Sequence, residues 1–184
     1  DQAMTWVYRS DGSGTTAAFS NSMQAFSKKW KLGVGKSIAW PVGIGNKGNA
    51  GVAGAIRNTI GSIGYVNQSY VKGEIRAAQL QNKNGEFITP SVESGALALN
   101  GITLDENLAG TDPNPAAEGA YPIATLTWIL AYETGNGSKT EAIKTSLSTL
   151  LSTEYQEKAY LLGYVPLRGD ILQKARDAVQ RISE

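Results

Sequence analysis

The chain has 184 residues, of which 17 are basic and 16 acidic, so its formal charge is only +1. It contains neither cysteine nor histidine, which excludes disulfides, thiolate nucleophiles, a Ser-His-Asp triad and most zinc sites. Because the basic residues are scattered, nucleic acid is not an expected partner, and a bound anion must be held by local geometry. No metal or cofactor is expected. No apolar run approaches the roughly 20 residues that span a bilayer, and any export signal is expected outside this chain.

The N-terminal part begins with a strand, a polar turn and a helix. Residues 6–9 predict a short strand, and residues 10–15 predict a turn rich in glycine, serine and aspartate. The following helix is expected to place four large apolar side chains on one face: Phe19, Met23, Phe26 and Trp30.

The same order then repeats. Residues 38–42 predict an extended segment that is limited by Pro41, and a glycine-rich run follows at 43–49. Spacing of apolar residues predicts a helix over 50–60, and residues 63–66 read as a buried strand. Two strand, turn and helix units in succession indicate an α/β fold.

The middle of the chain contains a hairpin signal and a long loop. Asn84-Gly85 predicts a tight turn between two short strands. Thr89 is expected to cap a helix that has Pro90 at its first position and ends near Leu99. Residues 100–121 predict a loop, because they are rich in Gly, Asn, Asp and Pro.

The C-terminal part begins with an apolar run at 123–132, which predicts a buried strand. From residue 138 onward the pattern is helical, with an extended connector at 163–167 that contains Pro166. We therefore place a boundary between two lobes at residues 121 and 122.

The turn RSDGSGTT at residues 9–16 concentrates the groups that an oxyanion requires. Its hydroxyls can donate hydrogen bonds, and the helix that follows offers unpaired amides and the positive end of its dipole. Arg9 adds a planar guanidinium that can hold two oxygens at once. Asp11 would repel an anion unless that anion carried a proton, so it favours hydrogen phosphate over sulfate.

Two other glycine-containing segments resemble phosphate loops more weakly. GVGKS at 33–37 lacks the first glycine of a Walker A motif and follows a helix instead of a strand, so it predicts a loop. The run at 43–49 lacks a hydroxyl or arginine partner, which favours a structural role. The turn at 9–16 could itself be an ordinary helix cap on composition alone.

The turn at 9–16 resembles the phosphate loop of PstS-type periplasmic phosphate-binding proteins of ABC transporters. Four further segments follow that family's pattern in order: WPVGIGNKGNAGVA at 40–53, GSIGYV at 61–66, YPI at 121–123 and GYVPL at 163–167. The resemblance implies that phosphate contacts five residues: Arg9, Asp11, Ser13, Gly14 and Thr15. In that scheme Arg9 pairs with an oxygen, Asp11 accepts the ligand's proton, and the remaining groups donate.

The resemblance also implies an architecture, which is a type II periplasmic-binding-protein fold with two α/β lobes and a chain crossover. Residues 1–121 would form the second lobe with the phosphate loop, and 122–184 would form the C-terminal part of an incomplete first lobe. We expect the family's N-terminal segment to be supplied as a second fragment, as a part of the protein outside this chain, or by another copy. An unpaired sheet and bare helix faces would otherwise remain.

The implied function is capture of inorganic phosphate and its delivery to the membrane subunits of an ABC permease, in the periplasm or at the cell surface. We expect no catalysis. Two alternatives remain: a phosphatase or phosphotransferase that uses the loop as a clamp, and an interaction or assembly fragment that has lost binding.

Overall fold

The computed structural model describes residues 3–184, which form two compact units. One unit comprises the chain up to Gly101 together with Asp112–Thr125, and the other comprises Ile102–Thr111 and Leu126–Glu184. The predicted boundary at 121/122 concerns the lobes of a whole family member and stays a prediction.

The first unit contains a three-stranded parallel sheet in the order β2-β1-β3. Its strands are β1 (Thr5–Arg9), β2 (Ile44–Asn46) and β3 (Ser62–Gly64). Helix α1 (Gly14–Phe26) connects β1 to the loop before β2, and helix α2 (Gly48–Asn58) connects β2 to β3. This parallel arrangement with connecting helices confirms the predicted α/β class.

The core of this unit is partly aromatic. Val7 on β1 and Val52 on α2 are fully buried. The rings of Phe19 and Tyr65 stack with their centroids 4.6 Å apart. Further rings pack around this pair at centroid distances of 5.3 to 6.3 Å: Trp6, Tyr8, Trp30 and Trp40. Contacts of this kind fix α1 against the sheet beyond what apolar burial alone provides.

Two boundaries in this unit differ from the sequence prediction. Helix α1 ends at Phe26, before Trp30, where the Ser27 hydroxyl accepts the amide of Lys29 at 3.2 Å. A local side-chain bond of this kind competes with helix continuation. The second strand is β2 within the glycine-rich run instead of the predicted 38–42. Gly43 has φ of +105° and lies against the Trp6 carbonyl, where a side chain would clash as the chain turns into β2.

The predicted hairpin at Asn84-Gly85 is confirmed as an antiparallel pair of strands, β4 (Leu80–Gln81) and β5 (Phe87–Ile88). A helix follows, α3 (Val92–Leu99), whose N-cap is Ser91 and not Thr89. Ser91 and Ser94 cap each other reciprocally, which satisfies two amides of the first turn.

The second unit contains three helices: α4 (Thr140–Leu150), α5 (Thr153–Leu161) and α6 (Gly169–Arg181). Arg176 of α6 donates from Nε and Nη2 to the carbonyl of Leu151 at 3.1 and 2.8 Å, and this caps the C-terminus of α4. No helix within residues 3–184 has the length and apolar character needed to cross a membrane.

The predicted strand at 123–132 is wrong, because this segment forms neither strand nor helix. Leu130 is 94% exposed, and Ile129 and Tyr132 are also largely exposed. A strand is stable only when a neighbouring strand pairs with its backbone, and these residues have no such neighbour in the part of the chain that the structure describes.

Candidate anion-binding site

The candidate site lies where β1 and β2 end. In the parallel register, Arg9 is paired with Asn46, so the residues that follow the two strands emerge at the same sheet edge. Ligands of open α/β proteins bind at this carboxyl edge. The turn after β1 leads into α1, and the turn after β2 leads into α2, so two helix N-termini begin there.

Arg9 and Asp11 form a two-pronged ion pair at this edge. Arg9 Nε donates to Asp11 Oδ1 at 2.8 Å, and Arg9 Nη2 donates to Asp11 Oδ2 at 2.7 Å. The Arg9 side chain is 10% exposed and that of Asp11 33%. This pairing raises the pKa of Arg9, although burial opposes the shift. Parallel bonds of this kind fix the plane of the guanidinium as well as its charge.

Asp11 also caps helix α2 from outside. Its Oδ1 atom accepts the backbone N–H of Gly48, the first residue of α2, at 3.0 Å. The N-cap residue Lys47 does not cap the helix with its own side chain. The bonds from Arg9 and then from Gly48 hold the pKa of the Asp11 carboxyl well below its usual range. Asp11 is therefore an ionised carboxylate whose two oxygens already accept protein hydrogens.

Asn49, the second residue of α2, connects Arg9 to α1. Its Oδ1 atom accepts from Arg9 Nη1 at 3.2 Å, and its Nδ2 atom donates to Thr15 Oγ1 at 3.5 Å, the long end of the hydrogen-bond range. The side chain of one residue thus touches both the arginine and the first turn of the helix that follows the loop.

The N-terminus of α1 is partly capped and partly open. The Ser13 hydroxyl accepts the amide of Thr16 at 3.2 Å, and the Ser13 amide donates to the carbonyl of Lys36 at 2.9 Å. The first helical bond runs from Ala17 to the Ser13 carbonyl at 3.0 Å. The amides of Gly14 and Thr15 precede it and have no acceptor within the helix. Both can therefore donate to an anion.

Tyr65, which follows β3, holds the strand and the helix together behind the loop. Its hydroxyl lies 2.7 Å from Thr16 Oγ1 and accepts the Arg9 amide at 3.4 Å. Tyr65 is buried, and its ring stacks on Phe19. The loop at 9–16 is consequently fixed at both ends.

The five residues predicted from the sequence fall at one end of the sheet. Arg9, Asp11 and Thr15 belong to one hydrogen-bond network through Asn49, while Ser13 and Gly14 form the cap and first position of α1. The sequence prediction that the run at 43–49 lacks an arginine partner is wrong, because Asn49 accepts from Arg9. The sequence feature that could have indicated this contact is an asparagine directly after a glycine at the start of a helix.

The segment at 33–37 is a loop, as its sequence predicted. It lies beside the candidate site, since the Lys36 carbonyl takes the Ser13 amide. That bond uses the Ser13 amide, so the amides at the start of α1 that are left for an anion are those of Gly14 and Thr15.

A parallel α/β sheet with an arginine and a helix N-terminus at its carboxyl edge is the arrangement of an α/β ligand-binding protein. The chain belongs to the PBP superfamily, whose domain model matches residues 1–154.

Curated relatives confirm the resemblance to PstS-type proteins. The chain is 34% identical to the phosphate-binding protein PstS of Methanocaldococcus jannaschii over 206 residues, covering 97% of this chain and 51% of the relative. It is 37% identical to PstS of Pasteurella multocida over 182 residues, covering 95% and 52%. The chain thus spans about half the length of the curated relatives it matches.

Solved structures share the fold. A high-affinity periplasmic phosphate-binding protein bound with phosphate matches with a TM-score of 0.72 at 16% identity, covering 96% of this chain and 57% of that one. A human phosphate-binding apolipoprotein matches with a TM-score of 0.71 at 14% identity, covering 96% and 58%.

Proposed function

We propose that this chain supplies part of the binding site of an inorganic phosphate carrier, and that Arg9, Asp11, Ser13, Gly14 and Thr15 belong to that site. The relatives named phosphate-binding protein PstS support this proposal. The remaining contacts to phosphate would come from the part of the relatives' length that this chain does not span.

The observation that carries the proposal is the placement of Arg9. A guanidinium has five N–H groups. Three of them donate to Asp11 and Asn49, which leaves one on Nη1 and one on Nη2. Asn49 bonds both this guanidinium and Thr15 in the first turn of α1, where the amides of Gly14 and Thr15 remain available. Two planar N–H groups and adjacent helix amides suit a tetrahedral oxyanion.

The geometry favours a different role for Asp11 from the one expected of its sequence position. Both carboxylate oxygens accept from Arg9 or Gly48, so we propose that Asp11 orients the guanidinium. A group outside residues 9–16 would then accept the proton of a hydrogen phosphate. Because Asp11 neutralises Arg9, the chain holds the anion chiefly through hydrogen-bond geometry instead of net charge.

We propose no chemical step on the ligand. The chain contains no histidine or cysteine, and within residues 3–184 no three acidic side chains gather in a way that could hold a metal ion. The enzyme alternative therefore gains no support from a histidine or cysteine group or from a metal-binding cluster in these residues.

We also propose that the carrier works in the periplasm or at the cell surface and delivers phosphate to the membrane subunits of an ABC permease. The phosphate-bound structural neighbour is described as periplasmic, which supports the location. The permease is implied by the PstS family.

The exposed apolar side chains at 128–132 suggest that another segment of polypeptide packs over them. Trp128 is 41% exposed and Leu130 is 94% exposed, which is costly for a protein surface. We propose that a segment equivalent to the rest of the relatives' length pairs with it. The assembly alternative, in which binding has been lost, predicts the same cover without phosphate affinity.

Isothermal titration calorimetry of the full-length protein with phosphate and with sulfate tests this function. We expect saturable phosphate binding with weaker sulfate binding, and no turnover of a phosphate monoester. Absence of phosphate binding would support the assembly alternative, while ester turnover would support the enzyme.

A further inference from the structure

We infer that Asn49 is a positioning residue that bonds Arg9 and Thr15 together and leaves the hydroxyl hydrogen of Thr15 free to donate to the bound anion. The inference rests on the proposed phosphate-binding function and deepens it. Its basis is the pair of contacts that the Asn49 amide makes, to Arg9 Nη1 at 3.2 Å and to Thr15 Oγ1 at 3.5 Å.

The direction of these bonds follows from the donors available. Arginine carries N–H groups and no acceptor, so the atom of Asn49 that faces Arg9 must be its carbonyl oxygen, Oδ1. The amide nitrogen Nδ2 then necessarily faces Thr15. Since Nδ2 carries only hydrogens, the Thr15 oxygen must accept from it.

The contact with Asn49 does not use the hydrogen of the Thr15 hydroxyl. A threonine hydroxyl has a single hydrogen, and its oxygen already accepts from Asn49. That hydrogen is therefore free to point to an anion beside the first turn of α1. An anion oxygen that takes this hydrogen is the acceptor of the bond.

The direction of the hydrogen bond at the Thr15 hydroxyl depends on Asn49 and is not set by the loop at 9–16 alone. Asparagine is the side chain that offers an acceptor to Arg9 and a donor to Thr15 at the same time. An aspartate of the same shape would accept from Arg9 as well, but it would also accept the Thr15 hydrogen and remove it from the anion.

The substitution Asn49→Asp separates this role from a structural one. Asn49 is the second residue of α2, and a carboxylate near a helix N-terminus is favourable for the helix. Because the new carboxylate would share the Arg9 guanidinium with Asp11, the two effects oppose each other, and we expect thermal stability to change little. Phosphate affinity of the full-length protein is expected to fall about tenfold or more, since a hydrogen bond to a charged ligand is lost and the new carboxylate repels the anion.

Asn58→Asp is the matched control, because it makes the same charge change at the exposed last residue of α2. It is expected to keep the wild-type phosphate affinity. If Asn49→Asp binds inorganic phosphate as tightly as Asn58→Asp, the inference is overturned.

A second measurement does not depend on the ligand. In the phosphate-free protein, the side-chain N–H resonances of Arg9 are expected to shift in Asn49→Asp and to stay unchanged in Asn58→Asp. If Asn49→Asp shifts these resonances but the wild-type protein does not bind phosphate, the proposed function is overturned and the Asn49 contact is supported. Unshifted Arg9 resonances would overturn the contact itself.

Discussion

The side chains of Arg9 and Asp11 meet edge to edge, with bonds of 2.8 Å from Nε and 2.7 Å from Nη2 to the two carboxylate oxygens. Side chains only two positions apart thus hold each other in one plane beyond the end of β1. The edge of the guanidinium that faces Asp11 is no longer available to a ligand, and the N–H groups on the far side have a fixed direction.

Arg9→Lys should weaken phosphate binding even though the charge is kept. Lysine offers a compact ammonium group and cannot bond Asp11, Asn49 and an anion in one plane. We expect the dissociation constant to rise by about tenfold or more, or roughly 1.5–3 kcal/mol. Calorimetry checks this. Arg57→Lys, at the exposed end of α2, is the control, and equal affinities of the two variants would contradict the role of Arg9.

Asp11→Asn should change how stability depends on pH. The folded pKa of Asp11 is lowered, so its carboxylate stabilises the protein above the unfolded pKa of about 4. This contribution is lost as the pH falls from about 4 toward the lowered pKa. We expect the difference in unfolding free energy between wild type and Asp11→Asn to be constant from about pH 8 to 5 and to shrink below about pH 4. Urea unfolding measures it, and a difference independent of pH would argue against the ion pair.

Ser13→Ala and Ser91→Ala remove equivalent caps from two helices. Ser13 caps α1 through the Thr16 amide, and Ser91 caps α3 through the Ser94 amide. Each variant is expected to lose about 1 kcal/mol of stability. Only Ser13→Ala should also lose phosphate affinity, because α1 is the helix at the candidate site. Parallel losses of affinity in both variants would mean that the caps act through stability alone.

Gly14→Ala tests where the anion lies. A methyl group at this first residue of α1 would meet no protein atom within 4 Å, so the fold has room for it. Alanine also favours helix, and stability is expected to stay the same or rise. Phosphate affinity should nevertheless fall, since the methyl group would lie beside the Gly14 and Thr15 amides. Wild-type affinity in this variant would place the anion away from them.

The sequence predicted the loop at 9–16 because all of its signals are local. Arg9, the glycines and the hydroxyls lie within eight consecutive positions before an apolar helical pattern. The hairpin turn at Asn84-Gly85 is local in the same sense, since glycine readily adopts the positive φ of +85° that Gly85 has there.

The contacts of Asp11 with Gly48 and of Arg9 with Asn49 could not be predicted in this way. These residues are 37 and 40 positions apart and meet only because β1 and β2 pair in a particular parallel register. Glycine and asparagine after a strand are also common in turns, so composition alone favoured a structural role.

At 123–132 the sequence predicts a strand that the structure does not contain. Its apolar composition predicts a buried strand, yet burial depends on a neighbouring element that the pattern cannot specify. With Leu130 94% exposed, the segment has strand composition without a strand partner within residues 3–184.

Phosphate titration of the full-length protein, followed by the side-chain N–H signals of Arg9 and the backbone amides of Gly14 and Thr15, tests whether the anion lies between Arg9 and the start of α1. We expect these signals to shift together and to saturate with phosphate. Saturable phosphate binding that leaves all three residues unshifted would place the ligand elsewhere and contradict this placement.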